Sequence, residues 1–416
     1  MTAAAWVAKP LRERWLRRRD RWIADPAFRD HASRWPGTRG MARRQAGELF
    51  DLMAGFVYSQ VLFACVKQGL FDRLAAGPLG VPALAAAAGL PEEGMARLLD
   101  AAEALELVRR LEDDGETPPT ADAGPGVRQR TPDAPPSIAE APPRPAQAQR
   151  RSRFALGRLG GAMAANPALE ALVLHHAALY ADLEDPLALL AAGRGGGRLA
   201  RYWSYATAAA PGALPQSDVA PYSAVMSASQ ALIARQVLDA YPVHRHRCLL
   251  DVGGGEGAFL SAALAEAPAL RGMLCDLPAV AERARARLAA AGFGERAVAH
   301  GGDFKRDPLP RGADLVSLVR VLYDHDDEPA LRLLKAVREA LPAGGTVLVA
   351  EPLARTRGAE RMGAAYFGMY LWAMGSGRVR SAGEHIALLR EAGFRHARER
   401  RTALPLQTGL VVARAP

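Results

Sequence analysis

The chain has 416 residues, of which half are apolar and 23% are charged, and this balance indicates a globular protein of two or three domains. The net charge of +9 lies mostly in residues 1–45, which hold twelve basic and four acidic side chains. Three cysteines without metal-ligand spacing argue against a metal site or a disulfide framework and favour a reducing, cytoplasmic location. The charged run Arg12–Arg21 excludes a signal peptide, and the apolar stretch Leu52–Val66 is predicted to be too short and too polar to span a bilayer.

The first 45 residues form a basic arm in which aromatic side chains are interspersed among arginines. Indole and guanidinium groups both favour a membrane interface, so one interpretation is peripheral contact with a membrane. The alternative is an arm that packs on a partner subunit with its arginines in solvent; nucleic acid is a distant third alternative. The aromatic residues are Trp6, Trp15, Trp22, Phe28 and Trp35.

Residues 46–165 have the pattern of short helices followed by a pair of strands. Apolar residues recur at helical spacing from Leu49 onwards, and glycines and prolines separate the helices. Helices followed by a strand pair are typical of a winged helix, so we predict a mostly helical domain that ends in a wing. The predicted helices are Val81–Gly89, Pro91–Leu99 and Ala101–Leu105, and the predicted wing pairs Leu107–Leu111 with Phe154–Leu156.

The segment between the two wing strands, residues 112–150, has a different composition. It holds nine prolines and almost no large apolar side chains, so it cannot bury enough surface to offset the entropy of ordering. We predict a disordered insert at the tip of the hairpin, where a long insertion costs little.

Residues 166–240 have the pattern of linking helices, and after Tyr241 strands alternate with helices. This alternation predicts an α/β domain over residues 241–416 with a mainly parallel, doubly wound sheet. The predicted strands are Cys248–Val252, Gly272–Cys275, Ala297–His300, Leu315–Val319, Thr346–Ala350, His396–Arg400 and Leu410–Ala413.

A glycine-rich loop ends the first of these strands. Gly253, Gly255 and Gly257 follow Asp251 in a Gly-x-Gly-x-Gly pattern, which differs from the Gly-x-Gly-x-x-Gly of dinucleotide binders. Glycines let the backbone approach a ligand without an intervening Cβ atom. We expect Asp251 to anchor either the loop or the amino group of a cofactor.

Two more carboxylates follow the next two strands. Asp276 is placed to accept hydrogen bonds from ribose hydroxyls, and Asp303 from an adenine amino group with Phe304 against the ring. Each residue alone has an ordinary explanation as part of a turn or a helix cap. Because the carboxyl ends of parallel strands meet at one edge of a sheet, the loop and both carboxylates together predict a nucleoside cofactor. The spacing alone does not distinguish S-adenosylmethionine from NAD.

At these residues the chain resembles the class I S-adenosylmethionine-dependent O-methyltransferases that pair a winged-helix dimerisation domain with a Rossmann-like domain. The resemblance extends from about Phe50 to the C-terminus, apart from the insert. It implies S-adenosyl-L-methionine as methyl donor, a seven-stranded sheet whose seventh strand is antiparallel, and a homodimer. The segments similar to the motifs of that family are Asp251–Gly257, Cys275–Pro278 with Leu277 at the ribose position, Gly301–Phe304 and Val349–Pro352.

A narrower resemblance links the chain to the carotenoid 1-hydroxy O-methyltransferases of purple phototrophic bacteria, which act on hydroxyneurosporene or demethylspheroidene. It implies an acyclic carotenoid acceptor, and Tyr222 and Met226 match positions that hold the acceptor in the broad family. The aromatic and methionine stretch Tyr366–Met374 would suit a polyene pocket, although on a helix such a stretch more often belongs to a core. The segments that carry the resemblance are Phe50–Gln60, Arg201–Ala206, Tyr222–Gln230 and Tyr323–Asp327, with the arm Arg14–Arg44.

The catalytic base of the broad family is the His of a His-Asp-Trp pattern, and this chain departs from that pattern. Tyr323 stands at the position of the His, and His325 stands at the position of the Trp. A phenol with a pKa near ~10 is a poor base at neutral pH, so we predict His325 as the base and Tyr323 as the residue that positions the acceptor hydroxyl. Glu351 matches one of the acidic residues that orient the family's base, whereas Val379 replaces the second.

Two other functions stay open on the sequence alone. An O-methyltransferase for a phenolic or polyketide metabolite would share the fold and the donor and differ at the acceptor site. A winged-helix DNA-binding regulator that senses S-adenosylmethionine would need a basic recognition helix, but residues 81–106 carry one basic side chain, Arg97, and five acidic ones. We therefore expect no nucleic acid partner.

Overall fold

A computed structural model describes residues 3–111, 152–203, 230–405 and 408–416, and these belong to two compact units, residues 1–165 and residues 166–416. The first unit is mostly helical, and its helices extend into the basic arm. Asp25 caps the second helix, because its side chain accepts a hydrogen bond from the Ala27 amide at 2.9 Å. The helices are α1 (Ala3–Ala24), α2 (Pro26–Arg34), α3 (Arg39–Lys67), α4 (Leu70–Ala75), α5 (Val81–Ala88), α6 (Glu92–Ala104) and α7 (Arg158–Met163).

Helix α6 is continuous where the sequence indicated two short helices. Its buried face consists of Met95, Leu99 and Ala102, which recur at helical spacing across the expected break. Asp100, at that break, accepts a hydrogen bond from the Arg110 guanidinium at 2.6 Å and does not end the helix. The prediction of two separate helices here is therefore wrong.

A small antiparallel sheet follows α6 and forms the expected wing. Val108–Leu111 (β2) pairs with Arg153–Leu156 (β3), and Leu79–Gly80 (β1) adds a short strand on the other side of β3. Leu111 lies opposite Arg153, so the two strand ends that flank the predicted insert are side by side. The insert itself lies outside the described residues.

Helix α3 spans 29 residues and, in the part of the chain that the structure describes, is the one helix long and apolar enough to cross a membrane by length and composition. The helix extends well beyond Leu52–Val66. The expectation that this segment is too short to span a bilayer is therefore wrong as to its length. Its apolar side chains are mostly exposed in the single chain, and Cys65 and Val66 are buried. The apolar face of α3 comprises Leu49, Phe50, Leu52, Met53, Phe56 and Val57.

The second unit is an α/β domain around a seven-stranded sheet of order β6-β5-β4-β7-β8-β10-β9. β10 is antiparallel to both of its neighbours, and the other strand pairs are parallel, so the implied antiparallel seventh strand is confirmed. Every predicted strand is present to within one residue at each end. The strands are β4 (Cys248–Val252), β5 (Arg271–Asp276), β6 (Ala297–Gly301), β7 (Leu315–Val319), β8 (Thr346–Glu351), β9 (Arg395–Arg400) and β10 (Gly409–Arg414).

Helices surround this sheet and link its strands. Asp185 separates the first two of them, because its side chain accepts hydrogen bonds from the Leu187 and Ala188 amides and starts a new helix. The helices are α8 (Pro167–Asp182), α9 (Pro186–Ala191), α10 (Arg198–Tyr202), α11 (230–240), α12 (Ala258–Glu266), α13 (Pro278–Ala290), α14 (Asp327–Ala340), α15 (Gly368–Met374) and α16 (Ala382–Glu391).

The two faces of the sheet are covered by separate apolar clusters. Leu249 and Leu315 point into one cluster, and their chain neighbours Leu250 and Val316 point into the other, as the period of two in a strand requires. From the central β4–β7 pair, successive strands proceed outward in opposite directions. The carboxyl ends of β4 and β7 therefore border the crevice in which sheets of this kind bind ligands.

Candidate active site

The glycine-rich loop after β4 has the backbone conformation that its sequence predicts. Gly253, Gly255 and Gly257 all have positive φ, at 67°, 57° and 79°, which a residue with a Cβ atom rarely adopts. The Gly253 amide donates to the Cys275 carbonyl at 2.8 Å, and a Cβ atom on Gly253 would lie 2.8 Å from Cγ2 of Val321. Gly255 instead borders open space. The loop is thus packed on one side and accessible to a ligand on the other.

Asp251 is buried at the base of this loop. Its Oδ1 accepts a hydrogen bond from the Ser317 hydroxyl at 2.6 Å, and burial raises its pKa to about 7. Its Oδ2 is buried without a hydrogen-bond partner in the part of the chain that the structure describes. A Cβ atom on Gly254 would lie 2.5 Å from this oxygen, so the loop leaves Oδ2 just beneath its backbone. Asp251 therefore anchors the loop to β7 and keeps one acceptor atom for a further donor.

Asp276, at the end of β5, connects the loop to the next strand. Its Oδ2 accepts from the Gly255 amide at 2.8 Å and its Oδ1 from the Leu277 amide at 2.7 Å. Burial raises its pKa to about 6, against the lowering by these amides and by Arg283. Each carboxylate oxygen has a second lone pair, so the group can also accept the ribose hydroxyls for which the sequence indicated it.

Asp303 caps the turn that follows β6. It accepts a hydrogen bond from the Lys305 amide at 3.0 Å, and its own amide donates to Asp307 at 2.7 Å. Phe304 lies on the loop side, because a Cβ atom on Gly253 would be 3.7 Å from its ring. The loop, Asp276 and Phe304 are therefore brought together at one edge of the sheet, and a nucleoside-bearing cofactor fits this cradle of left-handed glycines and an unsatisfied buried carboxylate oxygen.

His325 lies beside Phe304. It follows the 3₁₀ helix Leu322–Asp324, its ring packs edge-on against Phe304 at 5.7 Å between centroids, and both residues line a cavity of about 330 Å³. Burial and the positive charges of Lys305 and Arg380 lower the pKa of His325 to about 3. An imidazole this weakly basic accepts a proton poorly, and its ring is beside the adenine motif. The assignment of His325 as the base stays a prediction, which kinetics of a His325 variant can test.

Tyr323 is buried in a different environment. Its phenol oxygen hydrogen-bonds the Arg320 guanidinium, and its ring packs edge-on against Phe367 at 6.1 Å between centroids. Burial, followed by the negative charge of Asp324, raises the pKa of the phenol above its ordinary value. Tyr323 is thus a neutral phenol near pH 7, suited to hydrogen bonding and not to proton abstraction.

Glu351 holds the turn that carries Tyr323. Its Oε1 accepts from the Val321 amide at 3.0 Å and from the Leu322 amide at 2.7 Å. Burial raises the pKa of Glu351 to about 8, and its Oε2 has no hydrogen-bond partner in the described part of the chain. Glu351 therefore orients the backbone of the turn, whereas the sequence suggested that it orients a histidine side chain.

The carbonyl groups of the same turn are held from the other side. Arg380, fully buried, donates to the Leu322 carbonyl and to the His325 carbonyl, each at 2.8 Å, and the Ser376 hydroxyl donates to the Asp324 carbonyl at 2.8 Å. With its amides on Glu351 and its carbonyls on these two side chains, the turn is rigid. Rigid support of this kind fixes a side chain for catalysis.

The aromatic and methionine stretch belongs mainly to a core. Tyr370 and Met374 are buried, and the Tyr370 hydroxyl accepts from the Trp203 indole at 2.7 Å and meets Nε2 of His175 at 2.6 Å. Tyr366 is hydrogen-bonded to Nε2 of His176 at 2.6 Å. These buried and half-buried hydroxyls and imidazoles form hydrogen bonds inside an aromatic cluster that includes Tyr323.

Two groups of functional residues differ from the sequence-based set. Tyr222 and Met226, the predicted acceptor contacts, lie outside the described residues. Arg320 and Ser317 were missed; Ser317 could have been found as the one polar residue in the apolar strand Leu315–Val319. Arg380 has no such signal, because the residues around it in the sequence do not distinguish a buried arginine from an exposed one.

Comparison with known proteins agrees with this geometry. The family model of the O-methyltransferase domain matches residues 206–395. The family model of the O-methyltransferase dimerisation domain matches residues 50–121. A demethylspheroidene O-methyltransferase of Cereibacter sphaeroides is 43% identical over 87% of this chain and 85% of its own length. A demethylspheroidene O-methyltransferase of Rhodobacter capsulatus is 35% identical over 91% of this chain and 85% of its own length.

Among solved structures, CalO1, a methyltransferase of calicheamicin biosynthesis in its SAH-bound form, is similar at a TM-score of 0.66 and 26% identity, covering 89% of this chain and 98% of that chain. Nothing in these comparisons supports the DNA-binding regulator weighed above. The chain belongs to the S-adenosylmethionine-dependent O-methyltransferase family, with a dimerisation domain and a catalytic domain.

Proposed function

We propose that this enzyme methylates the tertiary 1-hydroxyl of an acyclic carotenoid, such as hydroxyneurosporene or demethylspheroidene, to give a methoxy carotenoid. The observation that carries the proposal is 43% identity to a demethylspheroidene O-methyltransferase over 87% of this chain and 85% of that relative. The departure from the His-Asp-Trp pattern supports it too. A tertiary alcohol is far less acidic than a phenol, so a site for it depends more on alignment than on a strong base.

The donor-binding residues follow from the cradle at the carboxyl ends of β4, β5 and β6. Asp276 would accept the ribose hydroxyls, the Gly253–Gly257 backbone would lie along the donor, and Phe304 with His325 would enclose its adenine ring. Oδ2 of Asp251, buried without a partner among the described residues, would accept from a loop amide or an ammonium group. The sulfonium of S-adenosyl-L-methionine supplies an electrophilic methyl group when it is bound.

The acceptor-side role belongs to Tyr323 in this proposal. Methyl transfer forms a bond from the acceptor oxygen to the methyl carbon, breaks the donor's carbon–sulfur bond, and releases the hydroxyl proton to water. The Tyr323 phenol would hold that hydroxyl in line by a hydrogen bond, and alignment of this kind accounts for several kcal/mol of a barrier, about 7–11 in favourable cases. Glu351 keeps Tyr323 in place through the turn backbone.

We infer that the enzyme acts as a homodimer. The dimerisation domain model covers residues 50–121, which include most of the apolar face of α3. Phe50, Met53 and Phe56 on that face are all more than half exposed in the single chain. A contiguous exposed apolar face of this kind usually marks a protein–protein interface. A second copy of the chain is the partner that the dimerisation domain implies.

We also propose that the enzyme is cytoplasmic and contacts the inner membrane peripherally. A carotenoid acceptor would be dissolved in that membrane. Trp15, Trp22 and Trp35 in the arm are about half exposed or more. The Arg19 guanidinium stacks on the Trp15 indole, and the Arg18 guanidinium stacks on the Trp22 indole. Basic side chains beside exposed indoles favour an anionic lipid surface.

A comparison of acceptors tests the proposed function. Purified enzyme and saturating donor would be incubated with detergent-dispersed demethylspheroidene, with a short-chain tertiary alcohol, and with catechol. We expect turnover of the carotenoid, no turnover of catechol, and a kcat/KM for the short alcohol at least about tenfold lower, because burial of each apolar CH₂ contributes about 0.8 kcal/mol. Turnover of catechol alone would keep the donor site and contradict the carotenoid acceptor.

A further inference from the structure

Arg320 is the residue at the candidate site that neither the motifs nor the comparisons assign to a role. It directly follows β7, at the point where the strand order of the sheet reverses between β4 and β7. In open parallel sheets this switch point borders the ligand crevice. Arg320 therefore borders the crevice in which sheets of this kind bind ligands.

The backbone of Arg320 is strained. Its φ is +58°, in the left-handed region that disfavours residues with a Cβ atom. The surrounding structure imposes this conformation: the Arg320 amide donates to the Ala350 carbonyl at 2.9 Å, and the next two amides, of Val321 and Leu322, donate to Glu351. Strained residues that are held this firmly cluster at active sites.

The side chain of Arg320 contacts the phenol oxygen of Tyr323. Its partly buried guanidinium hydrogen-bonds the Tyr323 phenol, and the charge of Asp324 acts on it electrostatically. A guanidinium has donors only, so it occupies one lone pair of the phenol oxygen in a fixed sense. The second lone pair and the O–H bond of Tyr323 then point in defined directions.

We propose that Arg320 is a positioning residue, which fixes the Tyr323 phenol so that its remaining hydrogen-bonding capacity meets the acceptor hydroxyl. This inference rests on the proposed function, in which Tyr323 holds that hydroxyl. A hydroxyl at the end of a long apolar chain needs a buried partner, and a phenol that rotates freely would offer it poor alignment.

A double-mutant cycle between the two residues tests the inference. The variants are Y323F, R320K and the double variant, with R320M as a further variant, and kcat and KM are measured at saturating donor. R355K is the matched control, because Arg355 also has positive φ, +61°, but is exposed. Lysine keeps the charge of Arg320 and loses the planar fork, so R320K is expected to fold even if R320M does not.

We expect R320K and Y323F each to lower kcat at least about fivefold, and R320K to lower it by less than about twofold in the Y323F background. Donor affinity, measured with S-adenosylhomocysteine by calorimetry, should stay within about twofold of the parent value, as should kcat of R355K. Effects that multiply in the double variant, or parental kcat in R320K, would overturn the inference. If demethylspheroidene is not methylated by the parent enzyme, the proposed function fails, and the same cycle is measured on catechol to test the pair.

Discussion

Glu351 accepts a hydrogen bond from the Leu322 amide at 2.7 Å, so the acidic residue that ends β8 acts on the backbone of the turn that bears Tyr323. The same carboxyl oxygen accepts from the Val321 amide, and Arg380 binds the carbonyl side of this turn. Glu351 thus orients the backbone of the whole turn, whereas the acidic residue of the broad family orients a histidine side chain.

The first prediction concerns Glu351 and pH. Its pKa is raised to about 8 by burial, well above the ordinary value near ~4.3 of an unfolded chain. The folded state therefore binds a proton that the unfolded state lacks between these values, and the contribution of Glu351 to stability is lost as pH rises through about 8. E351Q keeps an acceptor for the two amides and does not titrate, so its stability relative to the parent should increase from pH 5 to pH 8.5.

Urea unfolding of both proteins at these two pH values measures the difference. E351A is the control that removes the acceptor, and it should be about 1–3 kcal/mol less stable than E351Q at either pH because two buried amides lose their partner. A difference between parent and E351Q that is independent of pH would mean that Glu351 is ionised in the folded protein at pH 5.

The second prediction separates two roles of His325. Because its ring packs on Phe304 and its pKa is lowered to about 3, we expect H325Q to weaken binding of S-adenosylhomocysteine at least about threefold. Its kcat at saturating donor should change by less than about threefold, whereas loss of a general base typically costs about 10²–10⁴-fold. D276N, which replaces an acceptor of two backbone amides, should weaken donor binding more than H325Q does.

Calorimetry and steady-state kinetics on the same preparations distinguish the outcomes. A fall in kcat of H325Q by tenfold or more with unchanged donor affinity would restore the base role that the sequence favoured.

The third prediction concerns His385, on α16. It is buried, neither ring nitrogen has a hydrogen-bond partner within the described ranges, and burial lowers its pKa to about 3. Replacing such a group by an apolar one of similar size is neutral or stabilising, so H385L should unfold at the parent's free energy or up to about 2 kcal/mol above it. H244L, at an exposed histidine, is the control and should stay within about 0.5 kcal/mol.

The advantage of H385L should grow below neutral pH. The unfolded parent binds a proton at His385 near pH 6.5 that the folded parent excludes down to about pH 3, so the parent loses stability there as pH falls. Denaturant melts at pH 7 and pH 5 measure this. Destabilisation of H385L by more than about 1 kcal/mol would show that the imidazole is satisfied in the folded protein.

The fourth prediction concerns the insert in the wing. Leu111 and Arg153 are cross-strand partners, so deletion of residues 113–150 leaves a three-residue loop between them, a common hairpin length. We expect the shortened protein to stay soluble, to keep the parental number of subunits in light scattering and to keep kcat within about twofold. Loss of soluble protein would show that the segment stabilises the fold.

The sequence predicted those parts of the fold in which one residue type suffices to identify a position. The buried strands were found because Leu249–Val252 and Leu315–Val319 are nearly continuous apolar runs, and the donor loop because glycines at that spacing allow positive φ. Helices α1 and α2 lack an apolar period, so their structure was not foreseen.

The acceptor side was harder because it depends on burial and contact. Arg320 and Arg380 are two among many arginines, and only the fold shows that one contacts Tyr323 and that the other is fully buried on the turn. His325 was assigned as a base by residue type, whereas only the fold shows that burial and the charges of Lys305 and Arg380 lower its pKa and that its ring packs against Phe304.

The central claim, methylation of a tertiary carotenoid hydroxyl, is tested most directly by the mass and the position of the transferred group. Demethylspheroidene would be incubated with the enzyme and S-adenosylmethionine that carries a trideuterated methyl group, and the product analysed by tandem mass spectrometry. We predict one deuterated methyl group on the oxygen at the hydroxylated end of the polyene, and at least about fivefold less of this product with the Y323F variant at equal time. An unlabelled carotenoid in the presence of parent enzyme that binds the donor would contradict the claim.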